Sequence, residues 1–269
     1  MIIQHNIAAI NSYRNLGINQ GNLSKNLEKL SSGYKINRAG DDAAGLAISE
    51  SMRSQINGLN QAINNANDAI GLIKTNEGAL TETHAMLQRL TTLASQSANG
   101  TYNTVARGNL QQEVSRLLDE IDRIANKTNF NDIYSLSGDG SLQFQIGPSA
   151  GETITVAKQA MTKSGISVQS IDVSSQSGAN GAIDTIKSAI DCVSSFRAAL
   201  GAAQNRIEHT VNNLRVTSEN ITDAESRIRD TDMADEITAF TKNNILLQAS
   251  QSMLAQANSV PQSILSLLQ

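Results

Sequence analysis

Apolar residues along this chain recur at helical spacing, and mostly in one narrow seam. From residue 2 to residue 30 they return every seventh position, at Ile2, Ala9, Leu16, Leu23 and Leu30. A helix patterned this way carries a single apolar stripe that must be covered by another helix. Ser31-Ser32-Gly33 breaks it, and residues 34–40 read as an irregular connector. Asp41 or Asp42 can cap the next helix, because a carboxylate there accepts from free backbone N–H groups. That second helix is predicted from about residue 42 to 97. Ile56, Leu59, Ile63, Ala66, Ile70 and Ile73 alternate three and four apart, Leu80, Leu87 and Leu90 continue the stripe, and Asn99-Gly100 stops it. At 1.5 Å per residue it would extend about 80 Å, a rod suited to a bundle or coiled coil. Thr104 caps a third helix, with Leu110, Val114, Leu117, Ile121 and Ile124 on its seam.

Between about residues 129 and 182 the period changes. Leu142, Phe144 and Ile146 alternate with polar neighbours, as in a half-buried strand; Gly147-Pro148-Ser149-Ala150-Gly151 turns the chain, and Ile154 and Val156 mark a partner strand. Residues 174–181 are Ser/Gly-rich and read as an exposed loop. Helix resumes at Ile183 and keeps one seam through Ile186, Ile190, Val193, Leu200, Ile207, Val211, Leu214, Ile221 and Ile228. A charged link over residues 227–236 leads to a last helix. There Met233, Phe240, Leu247 and Leu254 lie seven apart, with Leu246, Met253, Val260 and Leu267 in a second row. Pro261 should bend or perturb that helix. The predicted fold is mainly α: a long antiparallel helical bundle or coiled coil with a small β-hairpin region in mid-chain.

Composition narrows the function. There is no Trp and only 3% of residues are aromatic, so a globular core would lack bulky anchors. A net charge of -4 gives no basic patch for nucleic acid. The single cysteine, Cys192, excludes an internal disulfide or a Cys-based metal cluster, and it adjoins Val193 on the seam, where it reads as filler. No apolar run is long enough for a membrane span, and residues 1–16 do not read as a cleaved secretory leader; on these grounds alone the chain would be placed in the cytoplasm. His5, His84 and His209 are isolated, no His-Glu-x-x-His motif occurs, and the glycines at 33, 40 and 45 do not form a phosphate loop. Neither an enzyme nor a cofactor or metal is expected.

The two ends carry the strongest signal. Lys242 is the only charged side chain over residues 237–269, and Arg14 the only one over residues 1–24. A water-facing helix of this length normally carries charges on its free face, but here that face holds Asn, Gln, Ser, Thr and Ala. Such a face is too polar for a bilayer. It suits a helix pair buried by neighbouring copies, where amides and hydroxyls bond across subunits without the cost of buried charge. In a lone monomer the same ends bury too little surface to offset chain entropy.

Several strings then resemble one family. Asn6-Ile7-Ala8-Ala9, Lys29-Leu30-Ser31-Ser32-Gly33 and Ile36-Asn37-Arg38-Ala39-Gly40-Asp41-Asp42-Ala43-Ala44-Gly45-Leu46-Ala47-Ile48 are similar to the N-terminal signature of bacterial flagellins. Glu225-Ser226-Arg227-Ile228-Arg229-Asp230, Asp232-Met233-Ala234 and Met253-Leu254-Ala255-Gln256-Ala257-Asn258 resemble the C-terminal one. The resemblance implies a short flagellin without large outer domains, exported unfolded through the flagellar channel and therefore secreted despite lacking a leader. Residues 1–33 and 234–269 would form the inner filament core, and residues 41–233, with the β region at about 129–182, the outer tube. Self-assembly would use Ile2, Ala9, Leu16, Leu23, Leu30, Met233, Phe240, Leu247, Leu254 and Leu267.

It implies partners as well: copies of itself, an export chaperone at residues 233–269, and the filament cap and hook-junction proteins. Gln88, Arg89, Leu93 and Glu113 match the contact that activating flagellins make with a vertebrate Toll-like receptor, though Thr91 and Thr92 stand where those carry an Arg-Glu pair. Residues 28–49 resemble the epitope of a plant receptor kinase, with departures at Lys29, Gly40 and Ala47, and residues 164–177 offer Ser and Thr for O-linked glycans. Among rival readings, a hook–filament junction protein shares terminal assembly helices, but Arg38 to Asp42 and the C-terminal strings favour flagellin. A chemoreceptor-like hairpin predicts a membrane span and a charged rod, against the neutral ends.

Overall fold

The computed structural model describes residues 5–267, with the side chains of all of these except residue 262 and residues 264–267. The described elements are α1 (Ile7–Ser32), α2 (Ala43–Ala98), α3 (Thr104–Lys127), β1 (Gly140–Gln145), β2 (Thr153–Lys158), α4 (Gln176–Arg229) and α5 (Met233–Leu267). The mainly helical reading with one small hairpin holds. The chain divides into two units, Met1–Ile56 with Glu219–Gln269, and Asn57–Ser218.

Local chemistry sets the helix ends. Asn6 caps α1, its side chain accepting from the Ala9 N–H at 3.1 Å. Gly33 ends α1 at φ 74°, a left-handed conformation open to glycine, and its N–H closes on the Lys29 carbonyl. Of the two carboxylates expected to cap α2, Asp42 does so, accepting from the Gly45 N–H at 2.9 Å. Asp41 instead accepts from the N–H groups of Arg38 and Asn37. Those two bonds hold the Asp41 carboxyl below the usual carboxylate range. The cap of α3 is Asn103 rather than Thr104, which is its first helical residue.

Residues 57–218 contain the core. One cluster joins Leu80, Leu87, Leu90 and Leu93 of α2 to Val114 and Ile121 of α3 and to Ile186, Val193, Leu200 and Ile207 of α4, all buried. The strands pair antiparallel with Leu142 opposite Val156 and Phe144 opposite Ile154, and Asn65 of α2 donates to the Gln145 carbonyl. Ile154 and Val156 point into the core, as do Met161, Ile166, Val168, Ile171 and Val173 of the segment after β2. Ser97 Oγ donates to the Val173 carbonyl, and the buried Ser135 hydroxyl to Asn76 at 2.8 Å. Cys192 is half-buried against the same core.

Two segment boundaries also differ from those expected. The exposed loop over residues 174–181 ends at Ser175, where the Ser175 hydroxyl accepts from the Gly178 N–H and its carbonyl from Ala179; Gln176 starts α4, and Ala179 is buried. The link over residues 227–236 shrinks to residues 230–232, because α4 runs through Arg229 and Asp232 caps α5 from its side chain. Pro261 lies inside α5.

Candidate functional site

The unit made of both ends is built differently. Helices α1 and α5 run antiparallel, with Lys29 Nζ 3.8 Å from Glu236 at one end and the Asn6 amide donating to the Ala257 carbonyl at the other. Ala9, Leu16, Leu23 and Leu30 of α1 and Phe240, Leu247 and Leu254 of α5 are half-buried. Met233, also expected at this seam, is exposed: it begins α5 opposite the point where α1 has already ended. Ile2 and the side chain of Leu267 lie outside the described residues.

Beside the apolar row runs a polar one, also at heptad spacing: Ser12, Asn19 and Asn26 in α1 and Asn243 and Ser250 in α5. The Asn19 amide donates to Ser250 Oγ at 2.9 Å and reaches the Leu246 carbonyl at 3.4 Å. Asn26 is buried with its amide nitrogen unpartnered. The polar row follows the same seven-residue period as the apolar one, so it is legible in the residues alone.

Among the described residues of this unit, Ile36 is the one buried apolar side chain, and α5 buries none fully. Apolar surface is instead left in water. Leu246 is 40% exposed and Met253 63%, in the second row foreseen for α5. On α1, Ile10 is 59% and Tyr13 70% exposed, and Ile7 and Ile18 are exposed too. These exposed apolar side chains sit on a helix pair with almost no charge.

The four residues expected at a receptor contact lie in the other unit. Arg89 Nη2 sits 2.7 Å from Glu113 Oε1, pairing α2 with α3 at a half-exposed position, and Gln88 contacts His84 at 3.1 Å. Leu93 is packed in the core with no exposed surface, while Gln88, Arg89 and Glu113 keep side-chain atoms in solvent. Among the described residues no group of three His, Cys, Asp or Glu could hold a metal, and no helix is long and apolar enough to cross a membrane.

Comparison with known proteins decides the family. Residues 3–141 match the bacterial flagellin N-terminal helical region, and residues 183–268 the bacterial flagellin C-terminal helical region. A flagellin of Halalkalibacterium halodurans is 50% identical, with all of both chains covered. The chain belongs to the bacterial flagellin family. A flagellar filament 33 kDa core protein of Treponema phagedenis is 46% identical, again over the whole of both chains. A putative flagellar hook-associated protein of Vibrio parahaemolyticus shares the fold at a TM-score of 0.59, 12% identity, 71% of this chain and 100% of the other. As a flagellin the chain is a structural protein, a subunit of the extracellular flagellar filament.

Proposed function

We propose that the α1–α5 pair is the part of this flagellin that stacks on neighbouring copies, and that residues 1–33 and 234–269 form the inner core of the filament. Residues 41–233 then make the outer tube. The carrying observation is that α5, 35 residues long, buries no described side chain fully while leaving Leu246 and Met253 in water. A helical polymer offers the missing cover, since each subunit meets copies on several sides. Ala9, Leu16, Leu23, Leu30, Phe240, Leu247 and Leu254 hold the pair together, and the exposed second row meets the neighbours. Ile2, Met233 and Leu267 belong to the same assembly surface.

The test is negative-stain electron microscopy of the full chain beside one lacking residues 237–269. Long hollow filaments from the first and none from the second support the reading. Two folded species that never polymerise, even when seeded, would sink it.

The same surface explains the remaining partners of the proposal. Before export, a chaperone shields residues 233–269 by taking the amphipathic helix in a groove. The chain then leaves unfolded through the flagellar export channel, and at the two ends of the filament it meets the hook-junction and cap proteins. A second reading, recognition by a vertebrate Toll-like receptor, is favoured by the half-exposed Arg89–Glu113 pair with Gln88 beside it. An Arg at such a place makes several directed bonds to a partner. Arg89→Ala would cut receptor binding while leaving filaments intact; unchanged receptor binding would exclude these residues.

A further inference from the structure

We propose that Arg229 is a positioning residue for assembly: it clasps the two connectors at the head of the α1–α5 pair and thereby sets where those helices begin to zip. The proposal rests on the reading that this pair stacks between copies.

The connector after α1 and the connector before α5 are about two hundred residues apart in sequence. They meet as an antiparallel bridge between Tyr34 and Asp230. The Lys35 N–H donates to the Arg229 carbonyl at 2.6 Å, and the Thr231 N–H to the Gly33 carbonyl at 3.0 Å. The Arg229 guanidinium lies 4.6 Å from the centre of the Tyr34 ring. Its Nη1 donates to Glu50 Oε1 at 2.7 Å and reaches Ser49 Oγ, a buried hydroxyl, at 3.5 Å. One side chain thus ties the end of α1 to the first turns of α2, while its own main chain leads from α4 into α5. Only guanidinium combines a flat face for the ring with a fork for the carboxylate. The ion pair is shielded on the arginine side only, with the Arg229 side chain 12% exposed and Glu50 56%, so the seat of the guanidinium against Tyr34 and Ser49 distinguishes it from a fully exposed pair, which contributes little.

The pair below needs such a clasp. Leu16, Leu23 and Leu30 against Phe240, Leu247 and Leu254 form a seven-residue repeat, so a slide of one heptad still matches apolar to apolar. Holding Gly33 to Thr231 fixes the register in which Lys29 meets Glu236 and Asn19 meets Ser250. It also turns the first contact between two remote segments into closure of a short loop, which costs far less entropy. Zipping then proceeds away from the clasp.

The experiment is elongation of the full-length chain on filament seeds, with every variant in a Cys192→Ala background. Arg229→Ala should raise the critical concentration by about tenfold or more, the change expected from losing one charge-assisted hydrogen bond. Arg229→Lys should restore only part of it, and thermal unfolding of residues 57–218 should stay at the parent value. Tyr34 and Asp230 face each other as a non-hydrogen-bonded antiparallel pair, an arrangement whose Cα atoms generally lie about 4.5 Å apart, within disulfide reach. Adding Tyr34→Cys and Asp230→Cys to Arg229→Ala should therefore restore elongation when oxidised and lose it when reduced, an outcome that a purely local packing role would not produce. Normal elongation by Arg229→Ala, or a closed tether that restores nothing, overturns the clasp. A parent chain that itself fails to elongate overturns the stacking reading and the clasp with it.

Discussion

The terminal unit and the central unit are written in the same heptad code and reach different outcomes. In residues 57–218 the seams of α2, α3 and α4 converge, and Leu80, Leu87, Val114, Ile121, Ile186 and Ile207 lose all exposure. In α1 and α5 an equally regular seam meets one partner, and Leu16, Leu23, Phe240 and Leu247 stop at half-burial. A seven-residue repeat specifies which face is apolar. The number of neighbouring helices decides whether that face becomes a core. The second difference is charge: the central unit carries ion pairs such as Arg89–Glu113, Arg123–Glu120 and Lys163–Asp119, whereas α5 beyond Glu236 carries Lys242 alone.

That contrast should show most strongly in large-to-small substitutions. Leu87→Ala leaves a cavity in a filled core and should cost about 2–5 kcal/mol in urea denaturation of the monomer. The same change at Leu247 should cost roughly 1 kcal/mol or less in the monomer, because the leucine already faces water on one side, yet it should weaken elongation on seeds. Equal costs at the two sites would erase the distinction between the units. Next in size is the buried polar pair of the central unit. Ser135→Ala strands the Asn76 side chain and should cost about 1–3 kcal/mol by the same assay.

Smaller still, for the monomer, is the exposed row of α5. Leu246→Asp with Met253→Asp should move monomer stability by about 0.5 kcal/mol at most, as surface changes do, while abolishing seeded elongation. A double variant that still elongates would mean that this row is not covered by a neighbour.

The smallest expected effect concerns pH at the connector. The N–H groups of Arg38 and Asn37 favour ionised Asp41, so its folded pKa lies below the unfolded one. Its contribution is therefore present above the ordinary carboxylate range and is lost as pH falls through the lowered folded value. Asp41→Asn should flatten the acid limb of a thermal-melt series, leaving the neutral melting temperature slightly reduced. An unchanged acid limb would remove Asp41 from that account.

Much of the molecule was legible in its residues. Repeats at three, four and seven located all five helices, and the alternation of Leu142, Phe144 and Ile146 located the hairpin, because period alone distinguishes those states. The start of α4 was missed because Ser175, Gly178 and Gly181 look like loop composition; a Ser cap and the burial of Ala179 outweigh that composition. The burial of Met161, Ile166, Val168, Ile171 and Val173 was missed since an irregular segment has no period to read. Leu93 was matched by position in a motif, and its place three residues after Leu90 puts it on the buried stripe of α2. The clasp at Arg229 depends on a meeting of Tyr34, Ser49 and Glu50 with a residue far along the chain. No local pattern records such a contact.

The central claim is that the terminal helices have no sufficient core of their own and gain one from neighbouring copies. Amide hydrogen exchange on monomer and on seeded polymer tests it most directly. The account predicts fast exchange throughout α1 and α5 in the monomer, strong protection of both in the polymer, and protection of the 57–218 core in each state. Slow exchange of α1 and α5 in the monomer, equal to that of Leu87 and Ile207, would contradict it.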